Sequence, residues 1–229
     1  ITWMLMDDDN AILAAFESGD LAYASSFPTE ELDRLKEAGT FQVAPVAGTY
    51  YILVNAEGKG MIPELQDPKV RRALARAIDR NYVTDMVTKR GELPADTFLP
   101  RGFHDEDGKD YYDSADKFWD NSTYEANCEE AKKLMAEAGY PDGGIKTTLS
   151  YASGTPYEQI ATVIQANLAA IGVEATLEPM ETATLKSACV DGSQALFLWR
   201  WNEDSKVDFV YRDLFYTDSG SNSPHYSDT

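Results

Sequence analysis

None of the apolar runs in this 229-residue chain approaches the ~20 residues that a membrane-spanning helix needs. Cysteine is nearly absent. Cys128 and Cys189 stand far apart without a C-x-x-C, which excludes the common zinc clasps and dithiol redox motifs. The pair leaves two possibilities open, a disulfide in an oxidising compartment or two reduced thiols. The only histidines, His104 and His225, both fall in loop-like segments, too little for a His-rich metal site or a His-dependent triad. Neither G-x-G-x-x-G nor G-x-x-x-x-G-K-[ST] occurs, so the familiar phosphate cradles are missing. The nucleophile elbow G-x-S-x-G is missing too. Basic charge is short: 20 Lys and Arg face 39 Asp and Glu, a net charge of −19. Phosphate backbones and anionic membrane surfaces repel such a chain, so no nucleic-acid partner is expected.

What is present fits a globular protein, with 43% hydrophobic and 26% charged residues. The chain opens on Ile1-Thr2-Trp3-Met4-Leu5-Met6, which reads as a strand already under way, and closes in an unfinished loop. The expectation is a piece of a longer protein whose targeting segment lies elsewhere. Residues 1–58 read strand, helix, strand, helix, strand, strand, with Gly19 and Gly39 as helix stops. The acids Asp7, Asp8 and Asp9 do not match a calcium loop, which needs Gly at the sixth position and Glu at the twelfth. They read instead as helix N-terminal acids. No metal or cofactor is expected. A boundary is expected near residue 60, at Gly58, Gly60 and Pro63. Beyond it Asp67-Pro68 starts a helix, with an N-cap acid and proline at the first helical position. Its Lys69, Arg72, Arg76 and Arg80 read as a solvated basic face. Asn127, with Glu130, reads as the cap of a further helix.

From Ile145 the pattern becomes β-α-β-α-β, which favours parallel strands. A capping box at Thr155-Pro156-Tyr157-Glu158 starts the first of its helices. The last strand, residues 195–201, runs from apolar into Trp199-Arg200-Trp201-Asn202-Glu203-Asp204. Ligands of open α/β sheets bind outside the carboxyl ends of the strands. A carboxylate there can hold a cation, and tryptophans can wall off water. The plainer alternative is two core tryptophans followed by a solvated turn. Glu203 and Asp204 cannot by themselves be a glycosidase pair, since neighbours in an extended segment point to opposite sides. A hydrolase would need a distant second carboxylate.

The order of motifs resembles the oligopeptide- and dipeptide-binding proteins of ABC importers, the large extracytoplasmic solute-binding proteins. The matching pieces are Phe16-Glu17-Ser18-Gly19-Asp20-Leu21-Ala22, Ser26-Phe27-Pro28, residues 48–55, the long run from Asp67 to Arg80, residues 91–100, 130–141 and 168–173. The resemblance covers essentially the whole chain. It implies a periplasmic-binding-protein type II-like α/β fold, with residues 1–60 as part of lobe I and 61–229 as most of lobe III. It further implies a non-catalytic, monomeric receptor that captures short peptides for ABC importer permease subunits. Such a receptor sits in the periplasm or is anchored at the cell surface as a lipoprotein. In the family an aromatic residue, two residues and an aspartate follow the last strand, and that aspartate pairs with the peptide ammonium. Trp201 and Asp204 fall on this pattern, with Trp199 and Trp201 walling a pocket. Ser205 stands where an aromatic is usual. Leu198 stands where some peptide binders carry an arginine, and Arg200 is displaced from that place. Other members bind nickel complexes or oligosaccharides.

Overall fold

The computed structural model describes residues 1–44, 46–55, 57, 59–154, 156–202, 213–217, 219–223 and 227. Two compact units divide the chain: Ile1–Ala44 with Thr88–Glu92, and Pro45–Val87 with Leu93–Thr229. In the first unit, helix α1 (Asp9–Glu17) starts where the Asp8 carboxylate accepts from the Ala11 N–H at 2.8 Å. Asp9 adds negative charge at the positive end of the helix dipole. A 3-10 turn leads into α2 (Leu32–Glu37), which buries Leu32 and Leu35. Both helices run out before a glycine with positive φ, 85° at Gly19 and 69° at Gly39. The strands expected at residues 1–6, 21–25 and 41–46 do not form among the described residues. An extended apolar segment becomes a strand only beside another strand. Here Ile1, Trp3 and Leu5 stand exposed instead.

The second unit is built on a four-stranded sheet of order β1-β4-β2-β3, made of β1 (Gly48–Val54), β2 (Ile145–Ala152), β3 (Val173–Met180) and β4 (Leu196–Asn202). The parallel strands expected from the β-α-β-α-β order are found: β2 is parallel to both β3 and β4. β1 pairs antiparallel with β4 along its full length, from Gly48 opposite Asn202 to Val54 opposite Leu196. β1 belongs to the sheet of the second unit, and the units part at 44/45, 87/88 and 92/93. Composition shifts mark loops, whereas unit membership is set by which strand supplies the hydrogen-bond ladder.

Side-chain alternation sorts the sheet into two faces. Leu149, Tyr151, Val173, Ala175, Leu196 and Leu198 pack against α3 (Pro68–Ala77), α6 (Tyr124–Glu137) and α7 (Tyr157–Ala169). Leu53, Ala152 and Phe197 pack on the other face against Leu185 and Cys189 of α8 (Thr182–Asp191). The short α4 (Arg80–Tyr82) follows α3 and continues as a π-helical turn, Val83–Thr88, while α5 (Tyr111–Ser114) lies in the long loop region before α6. The two cysteines are free; Cys128 packs against the first cluster and Cys189 is buried in the second.

Capping follows the sequence in part. Asp67 accepts from the Lys69 N–H at 2.7 Å and Pro68 opens α3, as expected. Asn127 does not cap α6. That helix starts a turn earlier, after Thr123, and the buried Asn127 amide donates to the Asp120 carbonyl at 2.7 Å. The turn at residues 120–123 therefore closes the helix entrance instead of an Asx cap. The capping box expected at the start of α7 falls on Thr155, which lies outside the described residues; α7 begins at Tyr157, directly after Pro156. Two crossings need glycine. A Cβ at Gly143 would lie 2.5 Å from the Gly172 Cα, and one at Gly60 would lie 2.3 Å from the Ser193–Gln194 backbone.

Candidate functional site

β2 pairs with β4 only through Leu149, Ser150 and Tyr151, opposite Leu196, Phe197 and Leu198. Beyond that point β4 continues through Trp199, Arg200, Trp201 and Asn202 with β1 as its ladder partner. The aromatic tip therefore overhangs the carboxyl end of the parallel strands, where open α/β sheets take ligands. The apolar run that buries residues 196–198 changes over four residues to half-buried Trp199 and Trp201 alternating with exposed Arg200 and Asn202.

Trp199 and Trp201 are two apart, so both stand on the α8 face, as strand periodicity dictates. Tyr51 lies directly across from Trp199, and Thr49 from Trp201. Trp199 and Tyr51 pack on the cluster around Phe197, Leu185 and Cys189. Trp201 packs with Phe98 and Phe215 on a third cluster built from Leu99, Phe103 and Leu214. Phe98 joins these pieces. Its ring meets Tyr51 edge-on at 5.3 Å and Phe215 edge-on at 5.3 Å, and its carbonyl accepts from the Thr49 hydroxyl at 3.1 Å. Burial pushes the Tyr51 phenol well above its ordinary range, and burial likewise drives the Cys189 thiol up to about 12. Both groups are neutral at physiological pH, and the wall presents apolar surface with a phenolic donor rather than charge.

Arg200 faces the other way. Its strand partner is Tyr50, whose hydroxyl accepts from Arg200 Nη1 at 3.4 Å and whose ring centroid lies 5.6 Å from the guanidinium carbon. Tyr50 in turn packs against Tyr157 of α7, ring centroids 5.7 Å apart. Burial raises the Tyr157 phenol, the Tyr50 phenol adds to this, and Arg200 opposes it. The structure thus brings Trp199 and Trp201 to one face and puts Arg200 on the opposite one. Asp204 and Glu203 lie outside the described residues. Tyr51, Thr49 and Phe98 escape a reading of the local stretch because they enter from a distant strand and from a loop. Residues 213–215 are helical, and 209–212 lie outside the described residues.

The loop that supplies Phe98 is fastened at its other side. Arg80, expected on a solvated face, is largely withdrawn from water: its guanidinium lies 3.8 Å from the Trp119 ring centroid and donates to the Ala75 and Ile78 carbonyls at 2.9 and 3.1 Å. It thereby satisfies carbonyls at the end of α3, which the helix cannot pair internally. Burial lowers its pKa to about 10, with Asp96 opposing, so it remains protonated at neutral pH. Trp119 Nε1 donates to the Ala95 carbonyl at 2.9 Å, and the Asn121 amide donates to the Pro94 and Ala95 carbonyls at 3.2 Å each. By contrast Lys69 behaves as a solvated-face residue, paired with Glu137 at 3.2 Å.

Among the described residues no group of His, Cys, Asp or Glu could hold a metal, and no helix is long and apolar enough to cross a membrane. The geometry offers an apolar wall at a sheet edge, suited to holding a ligand.

The profile described as "Bacterial extracellular solute-binding proteins, family 5 Middle" matches residues 1–223. The dipeptide-binding protein DppE of Bacillus subtilis is 29% identical over 185 residues, covering 79% of this chain and 32% of its own length. The periplasmic oligopeptide-binding protein OppA of Salmonella typhimurium is 26% identical over 238 residues, 99% of this chain and 41% of its own length. Among solved structures, the murein tripeptide binding protein MppA of Escherichia coli matches with a TM-score of 0.77 at 25% identity, covering 96% of this chain and 42% of that one. Peptide-bound OppA of Listeria monocytogenes shares the fold with a TM-score of 0.82 at 21% identity, covering 98% of this chain and 44% of that one. The chain thus spans about a third to two-fifths of the curated relatives it matches.

Proposed function

The chain belongs to the bacterial extracellular solute-binding proteins of family 5, and from that membership we propose that it captures short peptides as the binding component of an ABC importer. In this reading the first unit belongs to lobe I and the second to lobe III of a two-lobed clamp. The protein works outside the cytoplasm as a monomer, hands its cargo to permease subunits, and performs no chemistry on it.

The observation that carries the proposal is the tip of β4. Two indoles and Tyr51 stand on one face at the carboxyl edge of a parallel sheet, with Phe98 and Phe215 behind them. Such a wall excludes water from one side of a bound chain and accepts apolar side chains with little sequence preference. Asp204 supplies the anchor. It stands three residues after Trp201, and an ammonium withdrawn from water needs a charge partner. Backbone groups of a strand edge add hydrogen bonds that do not read sequence.

Calorimetry on the native full-length protein tests this with tri- to pentapeptides, each free and N-acetylated. Losing a charge-assisted hydrogen bond of about 1.5–3 kcal/mol weakens binding roughly ten- to hundredfold. Acetylation is expected to produce that loss in the natural protein and little further loss in Asp204→Asn. Equal affinity for free and acetylated peptides would remove Asp204 from this role. No heat with any peptide would remove the peptide reading itself.

A further inference from the structure

Asp96 stands two residues before Phe98, in the loop that braces the indole wall. The Tyr112 hydroxyl donates to its Oδ1, and Lys117 Nζ lies 3.3 Å from the same oxygen. The Asp96 carbonyl accepts from the Phe118 N–H at 2.9 Å, directly after the Ala95 carbonyl that holds Trp119 and Asn121. The partners keep one another in place. Lys117 Nζ donates to the Tyr112 carbonyl at 2.8 Å and lies 3.1 Å from the Tyr112 ring centroid. The Arg101 guanidinium carbon lies 3.9 Å from that same centroid. Burial, and after it the bond to Asp96, push the Tyr112 phenol up to about 12, so it remains a donor at neutral pH. The Asp96 side chain is only 24% exposed. A carboxylate so far withdrawn, with a phenol and an ammonium on one oxygen, is fixed in place rather than solvated.

We propose that Asp96 is a positioning residue for the indole wall: gripped by Tyr112 and Lys117, it holds Phe98 against Tyr51 and so sets how strongly the site prefers apolar side chains. The proposal rests on the peptide-binding reading and deepens it. The reach is short. Two residues of chain span at most about 7 Å, so a shift of the Asp96 backbone passes to Phe98 little reduced. Phe98 has small tolerance for such a shift. Its ring meets Tyr51 and Phe215 edge-on, both centroids at 5.3 Å, and its carbonyl takes the Thr49 hydroxyl. Thr97 and Leu99 on either side of it are buried. Edge-on packing depends on the angle and separation of the rings, so slack at Asp96 is felt first between Phe98 and Tyr51. Tyr51 lies across from Trp199, which carries the slack to the wall. The ammonium anchor at Asp204 belongs to another segment of the chain and is expected to be untouched.

Calorimetry on the native full-length protein tests this by comparing Ala-Phe-Ala with trialanine. The natural protein is expected to bind Ala-Phe-Ala about tenfold more tightly. Asp96→Ala brings that preference below about threefold, Tyr112→Phe lowers it part of the way, and neither changes the penalty for N-acetylation. Phe98→Ala gives the same loss as Asp96→Ala, and combining the two adds little, because both act through one contact. Asp67→Ala, which weakens the fold at the start of α3, leaves the preference whole and so separates positioning from lost stability. Should Asp96→Ala not fold, Tyr112→Phe combined with Phe98→Ala supplies the same cycle. A preference kept in full by either loop variant, Asp96→Ala or Tyr112→Phe, overturns the positioning role. So do losses that add in the double variant, an equal loss in Asp67→Ala, and natural protein that binds both peptides alike. Failure to bind any peptide would instead bring down the peptide reading, and the positioning role with it.

Discussion

Asn55 is completely buried, and its amide nitrogen donates to the Gly192 and Gln194 carbonyls at 2.8 and 3.0 Å. Its own N–H donates to the Ala195 carbonyl at 3.0 Å, so one residue joins the end of β1 to the approach to β4. Asn55→Ala removes both side-chain hydrogen bonds, although the Gly192 carbonyl keeps the Gly60 N–H at 2.7 Å, and is expected to lower unfolding free energy by roughly 1–3 kcal/mol, measured by urea denaturation. Cys189 gives a pH signature. Burial raises its thiol to about 12 in the folded chain, whereas an unfolded thiol ionises from near 9. The unfolded state then loses its proton first. The stabilisation is whole below pH ~9 and drains away as pH rises toward 12, at up to about 1.4 kcal/mol per pH unit. Denaturation at pH 8 and pH 10.5 is expected to show a smaller alkaline loss in Cys189→Ala than in the natural chain. Residue identity alone marked Trp199 and Trp201 as unusual. It could not say that Tyr51 and Phe98 would stand beside them, because those contacts span long stretches of chain.

At the level of elements, sequence spoke clearly wherever a device is local. Asp67 before Pro68 is such a device, and Asp67→Ala is expected to cost about 1 kcal/mol of stability in thermal or urea unfolding. The crossing of Gly143 and Gly172 is not local. A Cβ on either residue would press into the backbone of the other, at 2.5 and 2.4 Å, and both residues have positive φ, 74° and 80°. Gly143→Ala is therefore expected to lower the unfolding midpoint more than Asp67→Ala does, measured under the same conditions. The element that sequence misplaced is Asn127, whose Asx chemistry is used inside α6 rather than at its start. Side-chain hydrogen bonding competes with helix capping, and the turn before α6 decided the competition. β3 lies at an edge of the sheet, and Glu174, Glu178 and Pro179 along it discourage pairing with another chain.

Over the whole molecule the net charge of −19 sets a repulsive background. Raising salt from 20 to 300 mM shortens the Debye length from about 20 to under 10 Å and is expected to raise the thermal midpoint of the natural chain. An unchanged or lower midpoint in calorimetry would show that local ion pairs such as Lys69–Glu137 outweigh the net repulsion. The division into units is a matter of the whole chain too. The chain leaves the first unit at 44/45 and revisits it with Thr88–Glu92. Nothing local in the sequence marks that return.

By itself the sequence determined the alternating faces of β2, β3 and β4, their parallel order, the starts of α1 and α3, and the aromatic end of β4. Each of these depends on periods of two or 3.6 residues or on contacts within a turn, and short-range order of this kind is written in consecutive residues. Only the tertiary structure decided that β1 joins that sheet, that residues 1–6 form no strand, that Arg80 is withdrawn beneath Trp119, and that Arg200 stands apart from the tryptophans. These outcomes turn on which distant segment supplies a ladder, a ring or a carbonyl, and that is fixed when the chain packs as a whole.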